Sequence, residues 1–509
     1  MKKTRKLFSA MMALLMLLSL LAGCGAGESS DDYNGGLLDI ELGGNTKEEY
    51  EFSMQESLTN PPSPDNTVVE NPFVDTSKDN VSTFSADVDT ASYSYFRHLV
   101  NAGYTLETLK NSASSFRTEE FINYFRYDVA QPADGELFGN DVEIVTCPWN
   151  PENLLMRLNL QAEAAVESEG NNLVFLIDVS GSMNSSNKLG LLKTTFSYLV
   201  GNLGANDTVS IVTYSGKEEV VLDGCPGIEG DRIMNAINSL VASGSTNGEA
   251  GLSEAYRIAE KHFIEDGNNR IIMASDGDLN VGISSEGELK TFIEGKRDAG
   301  IYLSVMGFGS GNYRDAKMET LADNGNGVYY YIDGESEAEK VLGTDLLGTL
   351  YTVAQDVKLQ ITFDPQYVSS YRLIGYENRI LNDEDFEDDT KDAGDVGAGH
   401  QVTVCYELTL AEGARDTKAS WMELEVRYKN PGEPISLLNE YQIGSSDLIE
   451  TADADTVFIS CVIRTVMILH NSNYLDDTTL ADVLEDLNAL DLSAYPERAE
   501  FRTLIEKLA

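Results

Sequence analysis

A chain of 509 residues exceeds what one hydrophobic core holds, so two or three domains are expected. Its 84 acidic against 36 basic residues leave a formal net charge of −48. Charge of that sign and size repels nucleic acid and anionic lipid headgroups, argues against both as partners, and is compatible with cation binding.

Residues 1–24 read as an export signal. Lys2, Lys3, Arg5 and Lys6 precede an apolar run from Leu7 to Leu21, and "LAGC" follows at 21–24. The run is short for a membrane span. The ending resembles the lipobox of bacterial lipoproteins, which implies a lipidated Cys24 and an extracytoplasmic chain anchored to the bacterial cell membrane. Residues 25–80 carry thirteen acidic residues against Lys47 and Lys78, a net −11, and are expected to form an acidic, disordered tether.

Residues 81–165 form an N-terminal α+β region. A strand is expected at 81–86, then a helix capped by Asp89 or Thr90, a second helix at 117–125, and strands at 141–146 and 154–161. Asp87 and Asp89 suit capping better than metal ligation. From 166 to 356 strand and helix alternate. Candidate strands are 173–178, 208–214, 270–275, 301–309 and 328–333; helices fall between them, and a closing helix spans roughly 335–355. This is the pattern of a mostly parallel sheet covered on both faces. Residues 357–450 change to a period of two, the mark of an antiparallel sandwich. The acidic loop 382–399 lacks the EF-hand pattern and reads as a solvated loop.

Residues 451–509 are helical. No stretch after the signal reaches 18 uninterrupted apolar residues, and 456–469 contains Arg464, so a buried helix is expected there and a channel or transporter is disfavoured. Cys147, Cys225, Cys405 and Cys461 are widely spaced with no CxxC pair, which disfavours zinc and favours buried free thiols.

The chemistry concentrates at "LVFLIDVSGSMNSS". Asp178, Ser180 and Ser182 place one carboxylate and two hydroxyls at alternate positions after an apolar strand. Alone, such residues are ordinary turn formers. Thr246 in "GSTNG" and Asp276 in "MASDGD" fall at the same edge of the expected sheet, the C-terminal ends of parallel strands where open α/β sheets bind ligands. Five oxygen-bearing side chains suit a hard divalent cation that keeps a position open.

Residues 171–355, with those five positions in order, resemble a von Willebrand factor type A (VWA) domain with an intact metal-ion-dependent adhesion site. "FSADVDTASYSYFRHLVNAG", "RTEEFINYF", "GYENRIL" and the terminal "RAEFRTLI" extend the resemblance to bacterial VWA-domain lipoproteins over about 81–509. The fold implied is a doubly wound, mostly parallel, Rossmann-like α/β sheet, inserted in or flanked by a β-sandwich with helical terminal segments. The resemblance further implies that Asp178, Ser180 and Ser182 hold the ion, that Thr246 joins when a ligand binds, and that Asp276 acts through water. Asp278 and Asn280 are candidates to support them. The ion expected is Mg²⁺, with Mn²⁺ or Ca²⁺ equally suited by hard oxygen donors. Three N-terminal strands are too few for a stable sheet, so the strands after 356 are expected to complete it, with the VWA unit as an insertion.

The implied function is binding of a protein partner whose exposed Asp or Glu carboxylate completes the metal shell. The alternative is an envelope scaffold with a structural metal and no metal-dependent ligand. An enzyme is not expected: His98, His262, His400 and His470 lie in unrelated segments, with no GxSxG, HExxH or Walker lysine motif.

Overall fold

The computed structural model describes residues 69–509 apart from 134, 165–168, 246–247, 278–285, 310–314 and 476. The export signal with Cys24, the tether up to residue 68, Thr246, Asp278 and Asn280 lie outside the described residues.

The N-terminal region supplies strands β1 (Val74–Asp75) and β2 (Val81–Ser85), helices α1 (Ala91–Asn101) and α2 (Thr118–Asn123), and strands β3 (Phe138–Thr146) and β4 (Leu154–Ala162). An α/β unit follows: β5 (Asn171–Asp178), α3 (Leu191–Val200), β6 (Thr208–Tyr214), β7 (Glu218–Pro226), α4 (Gly230–Asn238), α5 (Gly248–Lys261), β8 (Asn268–Ser275), α6 (Glu286–Arg297), β9 (Tyr302–Phe308), α7 (Asp315–Asn324), β10 (Tyr329–Ile332) and α8 (Glu335–Glu339). The chain then returns through β11 (Thr352–Phe363), β12 (Val368–Ile374), β13 (Gly394–Gly397), β14 (Gln401–Leu410), β15 (Ser420–Lys429) and β16 (Leu437–Gly444), and ends in α9 (Ala454–His470), α10 (Leu480–Ala489) and α11 (Pro496–Leu508).

The α/β sheet has the order β10-β9-β8-β5-β6-β7, parallel except for β7, which pairs antiparallel with β6. Every residue of β5 and β8 is buried, as expected for central parallel strands covered on both faces. Two five-stranded antiparallel sheets form the sandwich. One runs β1-β12-β14-β4-β3; in the other, β13-β11-β15-β16, strand β2 also pairs with β11. N-terminal strands therefore complete sheets made by strands that follow the α/β unit, which is inserted between β4 and β11. Along β4, Met156, Leu158 and Leu160 enter the sandwich core with Phe84, Leu359, Val404 and Trp421. Leu155, on the opposite face, joins the helical layer, where α1, α2 and α9–α11 pack Phe96, Phe121, Phe458 and Phe501.

Four expectations need correcting. Order begins before residue 81: β1 pairs with β12 inside the stretch read as tether, because Val74 alternates with Asp75 and Thr76 Oγ1 donates to the Val368 carbonyl at 2.6 Å. β7 was not foreseen; its acidic first residues, Glu218 and Glu219, obscure the apolar Val220 and Leu222. The closing helix is short: α8 gives way to a π-turn at Lys340–Thr344 and a one-turn helix at Leu346–Leu350, and β11 starts at Thr352.

Nor do Asp89 or Thr90 cap α1 through their side chains. Thr90 occupies the cap position without a side-chain bond, and the Ser92 amide is taken by Glu120 Oε2 at 2.7 Å. Asp89 Oδ1 instead accepts from the Tyr329 amide at 2.9 Å, and Asp87 Oδ2 from Arg379 Nε at 2.9 Å. Asp89 thereby docks the α/β unit onto the sandwich, while Asp87 ties the N-terminal region to the segment after β12.

The acidic loop spends its carboxylates and carbonyls on cations: Lys429 Nζ bonds the Asp389 carbonyl at 2.6 Å, and Asp392 pairs with Arg297 at 2.7 Å. All four described cysteines are free and buried. Among the described residues no helix is long and apolar enough to cross a membrane.

His400 lies 8% exposed at the seam between the α/β unit and the sandwich. Burial, reinforced by Arg126 and Lys340 and opposed by Asp345, pushes its imidazole down to about 3. A depressed pKa contributes stability above the unfolded value near 6.5 and loses it as pH falls toward 3. Between pH 6.5 and 4.5 wild type is expected to lose about 2–3 kcal/mol from this residue. Urea titrations across that range should show a shallower pH slope in His400→Gln; an unchanged slope contradicts the assignment.

Candidate metal-binding site

The strand order reverses at β5, which has β6 on one side and β8 on the other. Ligand crevices of open α/β sheets form at such switch points, beyond the carboxyl ends of the strands. Asp178 is the last residue of β5 and Asp276 follows the last residue of β8; their strands pair in register through Ile177 and Ala274. Ser275 Oγ donates to Asp178 Oδ2 at 3.3 Å, tying the two strand ends together.

The chain after β5 turns back on itself. Ser180 N donates to Asp178 Oδ1 at 2.8 Å, and the Ser180 and Ser182 hydroxyls lie 2.9 Å apart. The loop is pinned from the side: Gly181 N donates to the Gly244 carbonyl at 3.0 Å and Ser243 N to the Val179 carbonyl at 2.7 Å. Those bonds bring the loop that leads to Thr246 against the site, although Thr246 itself is outside the described residues. Asp178 is 0% exposed and Ser180 1%, whereas Ser182 is exposed, so the oxygens run from a buried carboxylate to a hydroxyl in solvent.

Burial pushes the Asp178 carboxyl up to about 6, Asp276 adds to the shift, and the Ser180 hydrogen bonds oppose it. A buried carboxylate beside a second carboxylate and two hydroxyls is a donor set that a hard cation satisfies. No group of three or more His, Cys, Asp or Glu suited to a metal occurs among the described residues. Beside the two carboxylates, the described oxygens of the cluster include the Ser180 and Ser182 hydroxyls. The residues present fit a magnesium-like ion.

Three site neighbours were not foreseen. Ser275 is the first. Tyr214 ends β6 opposite Asp178 and packs against α5: a Cβ at Gly251 would come 2.6 Å from Tyr214 Cβ, so only glycine lets the helix approach that closely. Lys188, in a π-turn at Ser186–Gly190, donates from Nζ to Asp276 Oδ2 at 2.9 Å and to the Ser182 carbonyl at 3.0 Å. One signal was available: a lysine at a helix entry, where the dipole favours acids, needs a local anion.

Two of the histidines make their polar contacts elsewhere. His262 Nε2 contacts Asp223 Oδ1 at 2.6 Å on the surface, and His470 Nε2 contacts the Phe116 carbonyl at 2.7 Å.

Comparison with known proteins divides the chain in three. Residues 65–157 match the model "von Willebrand factor", 172–344 "von Willebrand factor type A domain", and 348–509 "Uncharacterized protein YfbK, C-terminal". The chain is 38% identical over 467 residues to uncharacterized protein YfbK of Escherichia coli (strain K12), covering 86% of this chain and 79% of that protein. Human inter-alpha-trypsin inhibitor heavy chain H3 is 26% identical over 259 residues, which is 47% of this chain and only 29% of the human protein. A solved von Willebrand factor type A structure from Catenulispora acidiphila is similar at a TM-score of 0.40 and 16% identity, covering 65% of this chain and 76% of that one. With a VWA domain inserted in a two-sheet base and most of its length shared with the Escherichia coli protein, the chain belongs to the YfbK family of VWA-domain proteins.

Proposed function

We propose that this protein binds a protein partner through a divalent cation, Mg²⁺, that accepts a carboxylate of the partner. The observation that carries the reading is the gradient at the switch point, from buried Asp178 to exposed Ser182, which puts the outermost hydroxyl of the oxygen cluster within reach of a ligand. Asp178, Ser180 and Ser182 would hold the ion, Thr246 would join them in the liganded state, and Asp276 would act through water. The bound ion supplies a Lewis-acidic position for an anionic oxygen. Tethering by lipid at Cys24, on the outer side of the bacterial cell membrane, would present this edge to partners beyond the surface. A binding role rather than a catalytic one fits a site with no histidine beside it.

Asp178→Ala is expected to weaken Mg²⁺ binding, measured by calorimetry, by roughly a hundredfold or more, since even outer-shell partners are worth ten- to a hundredfold. Its circular dichroism should match wild type. Unchanged Mg²⁺ affinity would refute the assignment.

The ion pair of Lys188 with Asp276 favours a second reading, an envelope scaffold, because it partly satisfies the site without a metal. EDTA separates the two. Partner capture collapses under the first reading and is indifferent to chelation under the second.

A further inference from the structure

The Lys188 ammonium is fixed in place. Its two bonds to Asp276 and the Ser182 carbonyl come from an amine whose side chain is 16% exposed. Its stem crosses Gly309, which adopts φ +81°, and a Cβ there would run into the lysine methylenes. The Gly309 carbonyl is in turn held by Tyr331 Oη at 2.7 Å. The π-turn that carries Lys188 projects it back over the serine loop, and such bulges recur at functional sites.

Charge decides what this amine does. Over the described residues of the site, Asp178 and Asp276 bring two negative charges, which a divalent cation cancels. A site built from those groups alone would be neutral when loaded and would attract a carboxylate only through the ion's own local field. Lys188 adds one positive charge to the described groups of the loaded site, which an incoming carboxylate neutralises.

We infer that Lys188 is a specificity-determining residue: it keeps cation binding weak and makes the loaded site a receptor for anions. The inference rests on the metal-binding reading above. It assigns the amine two opposite effects, repulsion of the metal and attraction of the ligand. A lysine that only packs, or only fills in for a missing ion, would not produce both.

The test uses the full chain, Mn²⁺ alone, and then acetate at saturating Mn²⁺, followed by water-proton relaxation. Lys188→Met is expected to bind Mn²⁺ roughly tenfold more tightly and acetate roughly tenfold more weakly, the two shifts having opposite sign. Lys188→Arg retains the charge and should hold both constants within about threefold of wild type. Tight Mn²⁺ binding in wild type with both constants unchanged, or both weakened, in Lys188→Met overturns the role of Lys188 and leaves the metal site standing. Absence of Mn²⁺ binding in wild type overturns the metal site and this inference with it.

Discussion

Arg97→Ala is expected to destabilise the protein by about 3–5 kcal/mol, the usual result of removing one partner from a buried ion pair. The guanidinium is 3% exposed on α1. Nε donates to Asp333 Oδ2 at 2.8 Å, Nη2 to Glu337 Oε2 at 2.7 Å, and Nη1 to Tyr124 Oη at 2.7 Å and Glu500 Oε2 at 3.1 Å. Asp333 and Glu337 belong to the VWA unit, Tyr124 to the N-terminal region and Glu500 to α11, so one side chain joins three parts of the chain. Truncation strands two carboxylates in a region where burial already pushes Asp333 up to about 6. Without the arginine, Asp333 moves further up. A raised carboxyl pKa contributes stability at low pH and loses it as pH rises through the folded value. The deficit of the variant should therefore be larger at pH 8 than at pH 5.5, where protonation replaces the missing cation. Urea unfolding at both pH values reads this directly. An equal deficit at both would mean that lost packing against Tyr93 and Tyr124, not charge, dominates.

Arg97 also shows what sequence pattern does not carry. An arginine between Phe96 and His98 on an amphipathic helix reads as a surface residue; its burial follows only from the contact with an insertion over 230 residues away. The same holds for Arg379, which faces Glu319 and Asp323 across the seam and Asp87 on its own side. Asp87 and Asp89 looked like caps because local spacing favours capping, and the partners that claim them arrive from elsewhere in the chain. Local pattern was sufficient where a strand buries both faces. "LVFLID" and "RIIMAS" are continuous apolar runs, so β5 and β8 were evident, and with them the edge on which Asp178 and Asp276 stand. It failed where an edge strand faces water on one side: β7 begins with two glutamates, and β1 has only two residues. The serine loop was legible because its oxygens stand at alternate positions within five residues of sequence. Lys188 was not, because its partner Asp276 is 88 residues away and the π-turn that aims it leaves no mark in hydrophobic periodicity.

Residues 352–509, expressed alone, are expected to lack cooperative unfolding altogether. The family model for the C-terminal part covers 348–509 as one unit, yet both sandwich sheets cross that boundary. β4 pairs with β14 from Leu154–Leu408 through Gln161–Gln401, and β3 closes the same sheet beyond it. β2 pairs with β11 from Val81–Thr362 to Ser85–Lys358, and the Ser82 hydroxyl meets Tyr406 Oη at 2.8 Å inside the sandwich. The fragment would forfeit Phe84, Ile144, Leu155, Met156, Leu158 and Leu160, all 0% exposed. At roughly 1.5–3 kcal/mol each, those six side chains amount to about 9–18 kcal/mol, as much as or more than the whole stability of an ordinary domain, about 5–15 kcal/mol. It would also bare the edges of β14 and β11, an invitation to aggregate. Adding residues 69–164 as a separate chain should restore a sigmoidal urea transition, because that piece carries every missing strand. Residues 170–351 hold a complete six-stranded sheet with their own helices and should unfold cooperatively without either piece. A cooperative transition in 352–509 alone would show that β11–β16 and the terminal helices form a domain unaided, and that the N-terminal strands only decorate it.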